Sequence, residues 1–344
     1  MHASSTSPSP ERRPAPSWSG IGIALLAHTG WGAYPVLARY LQTVSDLPGM
    51  ALLSLGNLIA LLVYLPFIWH RIDRRILRSA LIWGFALVVV LRSITNLLAA
   101  RFTLAIYIQP ITLMTPLFVA LLSAGLFREP LPPGTWTAIG LSLVGALLMI
   151  SGEIGASGVS LALTASDWIG IALAAASALC LAIYMILVPR MVRHAVPGEA
   201  VLLMQLTTLT ITSTGISLLV GDEWERFTTL TSGDWAAFAA FVFGVLLGAN
   251  LGQIVSLRQL GAPLVSSVMA WRLIATLALA AILLGERLDS WWQALGAVMV
   301  MITITGYLWR QARPFVGRLR TENQELRTEN REPGTRNQEL RTEN

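Results

Sequence analysis

The sequence predicts an all-α polytopic membrane protein whose ten transmembrane helices form two inverted five-helix repeats. Three observations predict it. Of 344 residues, 54% are hydrophobic and only 12% charged, with mean hydropathy +0.63. A water-soluble domain carries roughly twice that charged fraction. The apolar residues fall in runs of about 20, the length a helix needs to cross a bilayer. The chain also repeats itself, which constrains architecture more than composition does.

The repeat centres on two short stretches between apolar runs, Phe127-Arg128-Glu129-Pro130-Leu131 and Leu284-Gly285-Glu286-Arg287-Leu288. A shift of 157 positions carries Glu129 onto Glu286, Leu131 onto Leu288, Arg101 onto Arg258 and Ala105 onto Ala262. With one gap, Trp136 falls on Trp292 and Gly140 on Gly296. Upstream, Ile21-Gly22-Ile23-Ala24-Leu25 recurs as Ile169-Gly170-Ile171-Ala172-Leu173. The predicted units are a disordered tail at 1–17, repeats at 18–150 and 167–309, and a low-complexity tail at 314–344.

In order, the spans are 20–40, 50–69, 79–99, 103–126, 135–150, 168–188, 199–220, 235–255, 263–284 and 291–309. The Ser- and Pro-rich start cannot build a core. The first run is too long for a signal-peptide core and has a partner in the second half, so it counts as a span. Pro132 and Pro133 can start span five. Ser290 with Gln293 reads as a capping box for span ten. On span eight, Ala236, Ala240, Gly244, Gly248 and Gly252 recur every fourth residue, predicting a smooth face where another helix packs closely. In the C-terminal tail, 323–330 recurs letter for letter as 337–344, so it is disordered or a short helical extension without assigned function.

Loop charge sets orientation. Arg71, Arg74, Arg75 and Arg78 follow span two, and Arg190, Arg193 and His194 follow span six. These loops belong on the cytoplasmic side with Arg12 and Arg13. The alternate loops carry Asp46, Glu153, Asp222, Glu223 and Glu225, with Arg226. Five spans per half is odd, so the second half inserts upside down, as in many secondary transporters. Both termini are expected in the cytoplasm, and the Glu129 and Glu286 loops on opposite faces. The formal charge of +5 reads as positive-inside loop charge, not a nucleic-acid surface.

The polar residues within spans are the candidates for chemistry. Arg92 and Arg272 lie near the middle of spans three and nine, where an arginine costs at least ~2.5 kcal/mol unless it faces water or a partner. Asn96 and Thr276, each four residues on, share their faces. No Asp or Glu sits in a span core to pair with these cations. The substrate-facing set is Arg92, Arg272, Asn96, His28, Trp31, Tyr34, Gln109, Asn250 and Trp271. Glu129 and Glu286 form a structural pair, expected to accept hydrogen bonds from the start of the next helix in the same half. His28 is the sole intramembrane histidine and the one protonatable relay candidate. Cys180 reads as a packing residue. The four histidines have no metal-ligand spacing and no phosphate loop occurs. No enzyme activity, metal or cofactor is expected.

Ten spans in two five-helix halves, with an acidic Glu-x-Leu after the fourth helix of each, resemble the drug/metabolite transporter superfamily, and most closely its EamA-like family. The resemblance covers about 20–309. It implies passage of small metabolites through a central cavity between the halves, with spans five and ten peripheral. The lysine often found near the cavity of sugar-phosphate members has no counterpart, since the chain contains no lysine. The reading is an inner-membrane transporter of amino acids or related carboxylate-bearing solutes, export favoured. The alternative is a membrane scaffold or sensor without transport. Expected partners are a small solute and the bilayer, with a homodimer left open and nucleic acid excluded.

Overall fold

The computed structural model describes residues 18–68, 80–128, 130–151, 153–155, 158–160, 163–193, 198–260, 265 and 268–329. The first half holds α1 (Trp18–Thr43), α2 (Gly49–Ile68), α3 (Ala80–Phe102), α4 (Ala105–Leu113), α5 (Thr115–Phe127) and α6 (Thr135–Ile150). A small antiparallel hairpin, β1 (Glu153–Gly155) and β2 (Gly158–Ser160), joins the halves. The second half holds α7 (Ala165–Arg193), α8 (Gly198–Val220), a 3-10 turn (Trp224–Thr229) and α9 (Ser232–Ala239). A π-helical stretch (Ala240–Ala249) leads from α9 into α10 (Asn250–Leu260), followed by α11 (Trp271–Leu283) and α12 (Trp291–Glu329). Among the described residues, eight helical segments are long and apolar enough to cross a membrane, α4 and α5 counting as one and α9 to α10 as another. Thr135–Ile150 and Trp271–Leu283 are shorter apolar helices. The 1–17 tail lies outside the described residues, and the C-terminal tail continues α12 as helix to Glu329.

Helix packing repeats under exchange of the halves. The α3–α7 contact has its counterpart in α1 against α10, and α4/α5 on α7 in α11 on α1. The α2–α8 and α6–α12 pairs map onto themselves. Such a pattern follows from two copies of one unit packed about a twofold axis. Crossings are close where glycine permits. A Cβ on Gly296 of α12 would lie 2.5 Å from the Gly145 carbonyl of α6, and one on Gly32 of α1 would lie 2.6 Å from the Arg272 carbonyl.

Two spans expected to be continuous are broken. Pro116 lacks an N–H and cannot satisfy the Thr112 carbonyl. Thr115 Oγ1 donates to that carbonyl instead, at 2.6 Å, and the helix restarts at Thr115. Span nine is interrupted by a turn at 268–270 before the helix that starts at Trp271; its i→i−3 bonds include Trp271 N–H to Val268 and Arg272 N–H to Met269. Met114 and Trp271 are 157 positions apart, so the repeat shift carries one break onto the other.

Three further expectations change. The small-residue face of span eight does not lie against a helix along its length: Ala236, Ala240, Gly244 and Gly248 are exposed. These four stay on one side of the helix, but that side faces outward: spacing fixes a common face, not what the face meets. Close approach to α1 uses Gly252 beside Ala27 and Ala249 beside Gly30. At α12, Ser290 Oγ accepts from Trp292 N–H at 3.2 Å, but Gln293 Oε1 accepts from Asp289 N–H at 2.8 Å. The capping box is therefore displaced by one residue. Span three, finally, runs to Phe102.

Exposed tryptophans gather near helix ends. Trp18, Trp83, Trp136 and Trp309 lie toward the face where α1 begins, and Trp168, Trp235 and Trp291 toward the other. Amphipathic rings favour the two bilayer interfaces, so these residues mark the borders of the membrane. The loops holding Arg128 and Arg287 are exposed and belong to opposite faces. In a Cys180→Ala background, an impermeant maleimide applied from outside should label Arg287→Cys and spare Arg128→Cys. Equal labelling would contradict the inverted arrangement.

Candidate functional site

The site lies where α1, α3, α4, α7 and α11 meet, and its centre is Trp31. The Arg92 guanidinium lies 5.0 Å from the Trp31 ring centroid and that of Arg272 5.6 Å away. Arg92 also lies 5.3 Å from the Tyr184 ring. Both arginines are buried. A cation over an aromatic face gains about 0.5–2 kcal/mol, which does not cover the cost of a charge at this depth.

Arg272 has one further partner. Its Nε donates to His28 Nδ1 at 2.9 Å, while His28 Nε2 lies 3.0 Å from the Val265 carbonyl. A carbonyl can only accept, so Nε2 carries the hydrogen and Nδ1 the lone pair. The imidazole is thereby set as a neutral tautomer, and protonating Nδ1 would break its bond to Arg272. Among the described residues, no carboxylate pairs with either guanidinium.

Two adjoining cavities open from Trp31. One is lined by polar and aromatic side chains that include Trp31, Tyr34, Arg92, Asn96, Gln109 and Arg272, with Thr112 and Ser177. The other shares Trp31, Tyr34, Arg92 and Asn96, and adds Ser93, Gln205 and Asn250. Each holds about 20 Å³, room for a water but not for a metabolite. Trp31 Nε1, Tyr34 OH, Asn96 Oδ1 and Gln109 Nε2 are buried without a hydrogen-bond partner. Buried polar groups are ordinarily satisfied, so these four leave the cavity wall with hydrogen-bonding capacity that water or a polar solute can fill.

Of the substrate-facing set, Arg92, Arg272, Asn96, Trp31, Tyr34, Gln109 and Asn250 come together here. His28 stands behind Arg272. Trp271 does not join them: it is exposed, and its Nε1 donates to Thr29 Oγ1 at 2.8 Å. A helix that starts at Trp271 turns that side chain away from the cavity entered by its neighbour. Thr276 is likewise bound to backbone, donating to the carbonyls of Gly32 and Arg272. Gln205, Ser177 and Tyr184 enter the site although single polar residues at helical spacing gave no reason to rank them above others.

Toward the face where α1 ends, polar contacts cross between the halves. Glu286 does not cap the helix that follows it. Its Oε2 accepts from Ile106 N–H at the start of α4 (3.3 Å), and its Oε1 lies 2.8 Å from Arg39 Nε. Arg39 also donates to the Thr103 carbonyl at 2.7 Å and the Ala100 carbonyl at 3.3 Å. The anticipated interaction, a carboxylate at a helix start, is present on a helix of the other half. Asp222 does the same for α2, accepting from Ala51 N–H at 2.8 Å. Asp234 accepts from Ser45 Oγ and Tyr40 OH, Asp167 from Thr103 Oγ1, and Asp46 pairs with Arg226. Glu129 lies outside the described residues.

The sequence pattern of the EamA-like transporter family matches residues 18–151 and 168–309. The chain belongs to the EamA-like transporter family. It is therefore a multi-pass membrane transporter of the drug/metabolite type, and members of the family are transporters rather than enzymes. No curated protein sequence matches significantly. A solved crystal structure, 18% identical, covers 86% of this chain and 98% of its own with a TM-score of 0.59. At that identity it shares the fold of this EamA-like chain alone.

Burial pushes the Glu286 carboxyl above its ordinary value, against the pull of Arg39 and the α4 N–H groups. The neutral form is thus the easier one to bury, and the loss of Arg39 should cost more than the loss of the Glu286 charge. Arg39→Gln should lower stability by about 1–3 kcal/mol, less than for a fully buried pair because the arginine is partly exposed. Glu286→Gln should cost less, and the double variant should recover part of the loss. Thermal melts in detergent measure this, and a double variant no better than Arg39→Gln would remove the proposed tie.

Proposed function

We propose that this protein is an inner-membrane secondary transporter of small carboxylate-bearing solutes, amino acids or organic acids, with export the favoured direction and both termini cytoplasmic. It works by alternating access between its two halves. The observation that carries this reading is the pair of buried guanidinium groups facing a polar cavity without a carboxylate in reach. Guanidinium binds carboxylate bidentately. A bound carboxylate relieves the mutual repulsion of Arg92 and Arg272 and gives the unpartnered donors of Trp31 and Gln109 an acceptor. An apolar or purely cationic solute does neither. A scaffold has no need to bear the cost of such a site.

The cavity has room for water only, so a solute enters when the halves part. The inter-half contacts of Glu286, Asp222, Asp234 and Asp46 lie at the face assigned to the outside. They are the contacts that outward opening breaks. His28, held neutral between Arg272 and Val265, is a poor proton carrier. The proposed transport is therefore exchange or facilitated diffusion rather than proton-driven.

Arg92→Gln and Arg272→Gln should each abolish solute flux in proteoliposomes while preserving membrane insertion, because removing a charge from mid-membrane makes insertion easier. Flux retained in both variants, or a preferred solute with no negative group, would rule the reading out.

A further inference from the structure

We infer that the site selects solutes carrying two negative charges over monoanions and zwitterions. The inference rests on the anion-binding reading above and narrows its substrate class. It follows from the charges and hydrogen-bonding groups at one cavity.

The wall of the site carries two guanidinium groups, on Arg92 and Arg272, both buried and both against Trp31. Among the described lining residues there is no Asp or Glu. His28 stays neutral in its observed bonding, because Nδ1 accepts from Arg272 and Nε2 faces a carbonyl. The cavity therefore carries a net charge of two positives. Uncompensated charge in a low-dielectric interior is costly. A zwitterion leaves both positives uncompensated in sum, and a monoanion leaves one. A dianion leaves none.

The arrangement also disfavours an ammonium group. An ammonium binds a carboxylate or an aromatic face. The first is missing from the lining, and the Trp31 and Tyr184 rings already face guanidinium groups. Asn96 Oδ1 is the one buried, unpartnered amide carbonyl among the lining side chains. It can accept from a solute hydroxyl, but it is a dipole and cannot neutralise a cation. The remaining unpartnered atoms, Trp31 Nε1, Gln109 Nε2 and Tyr34 OH, can all donate to an anion. Donors and positive charge dominate, as a doubly charged acceptor requires. A dicarboxylate and a phosphate monoester both supply that chemistry.

The test uses full-length protein in proteoliposomes and four probes of similar size, each competing for flux or protecting against thermal unfolding at constant ionic strength. Succinate and glycerol 3-phosphate are dianions, succinamate is a monoanion and 4-aminobutyrate is a zwitterion. At least one dianion should bind about tenfold or more tightly than succinamate, with 4-aminobutyrate weakest, as expected for one added charge-assisted contact. Which dianion binds better tells a dicarboxylate site from a phosphate site. In Arg92→Gln, where flux is expected to be lost, thermal protection is the readout: the dianion-over-monoanion preference should disappear, whereas a merely structural role would weaken all probes equally. Succinamate or 4-aminobutyrate binding as well as both dianions would overturn the inference while leaving the anion reading intact. Binding of none of the charged probes would overturn this inference, and the Arg92→Gln and Arg272→Gln flux assay would then decide the anion reading by itself.

Discussion

In hydrocarbon, a backbone N–H or C=O without a partner costs several kcal/mol, and only unbroken helices satisfy every group within one segment. Most of this chain obeys that rule. Among the described residues, the interruptions at Met114 and just before Trp271 occupy equivalent places in the repeat, and each must be shielded by protein. The span from Ala105 to Leu126 accordingly has the largest buried share of the long spans. Thr115 covers the carbonyl that Pro116 abandons, and His28 donates to the carbonyl of Val265 just before the second break. Where the backbone cannot be regular, side chains stand in for it, and the site forms beside those places. The break before α11 also sets Arg272 at the start of a helix, so its side chain enters the cavity while that of Trp271 turns outward.

The second constraint is charge. Two arginines share the surroundings of one indole, and ring contacts worth about 0.5–2 kcal/mol each do not match the price of placing them there. The remainder must come from water or a solute. On the proposed reading, a solute of matching charge takes the place of that water and satisfies the unpartnered donors. His28 limits the possibilities further. Its two nitrogens are committed in opposite senses, which fixes Arg272 in orientation and removes the imidazole from service as a base.

Much of this was legible in the sequence. The repeat of Glu129 as Glu286, the 20-residue apolar runs and the alternation of loop charge suffice for ten spans in two halves, because the bilayer permits few other arrangements of such a chain. Arg92, Asn96, Trp31, Tyr34, Gln109 and Arg272 could be named because charge or polarity in mid-span is costly and so stands out. What failed to show was local geometry. A pattern of small residues fixes a common face but not what that face meets, so the Ala236–Gly252 face was assigned a contact that it does not make over most of its length. Trp271 adjoins Arg272 in sequence, yet adjacent helical residues point about 100° apart. The partner of Glu286 was hidden for another reason. Arg39 is far away in sequence and in the opposite half, and nothing in a single sequence specifies which helix start a loop carboxylate will reach.

That cross-half reach bears on how the molecule could open. Glu286 and Asp222, both in the second half, cap the starts of α4 and α2 in the first. These bonds add charge and helix dipole to an apolar core that both halves share at that face. Such contacts, when partly exposed, are individually weak and can be replaced by water. On the proposed cycle, separating the halves at that face would exchange these polar partners for solvent and would also open the apolar contacts beside them. The α6–α12 crossing is different: at Gly145 and Gly296 the two backbones are too close to admit even a Cβ, and a packed contact of that kind resists gradual deformation. The same fold thus contains one junction held in part by replaceable polar contacts and another suited to staying fixed, and the arginine pair lies beneath the first.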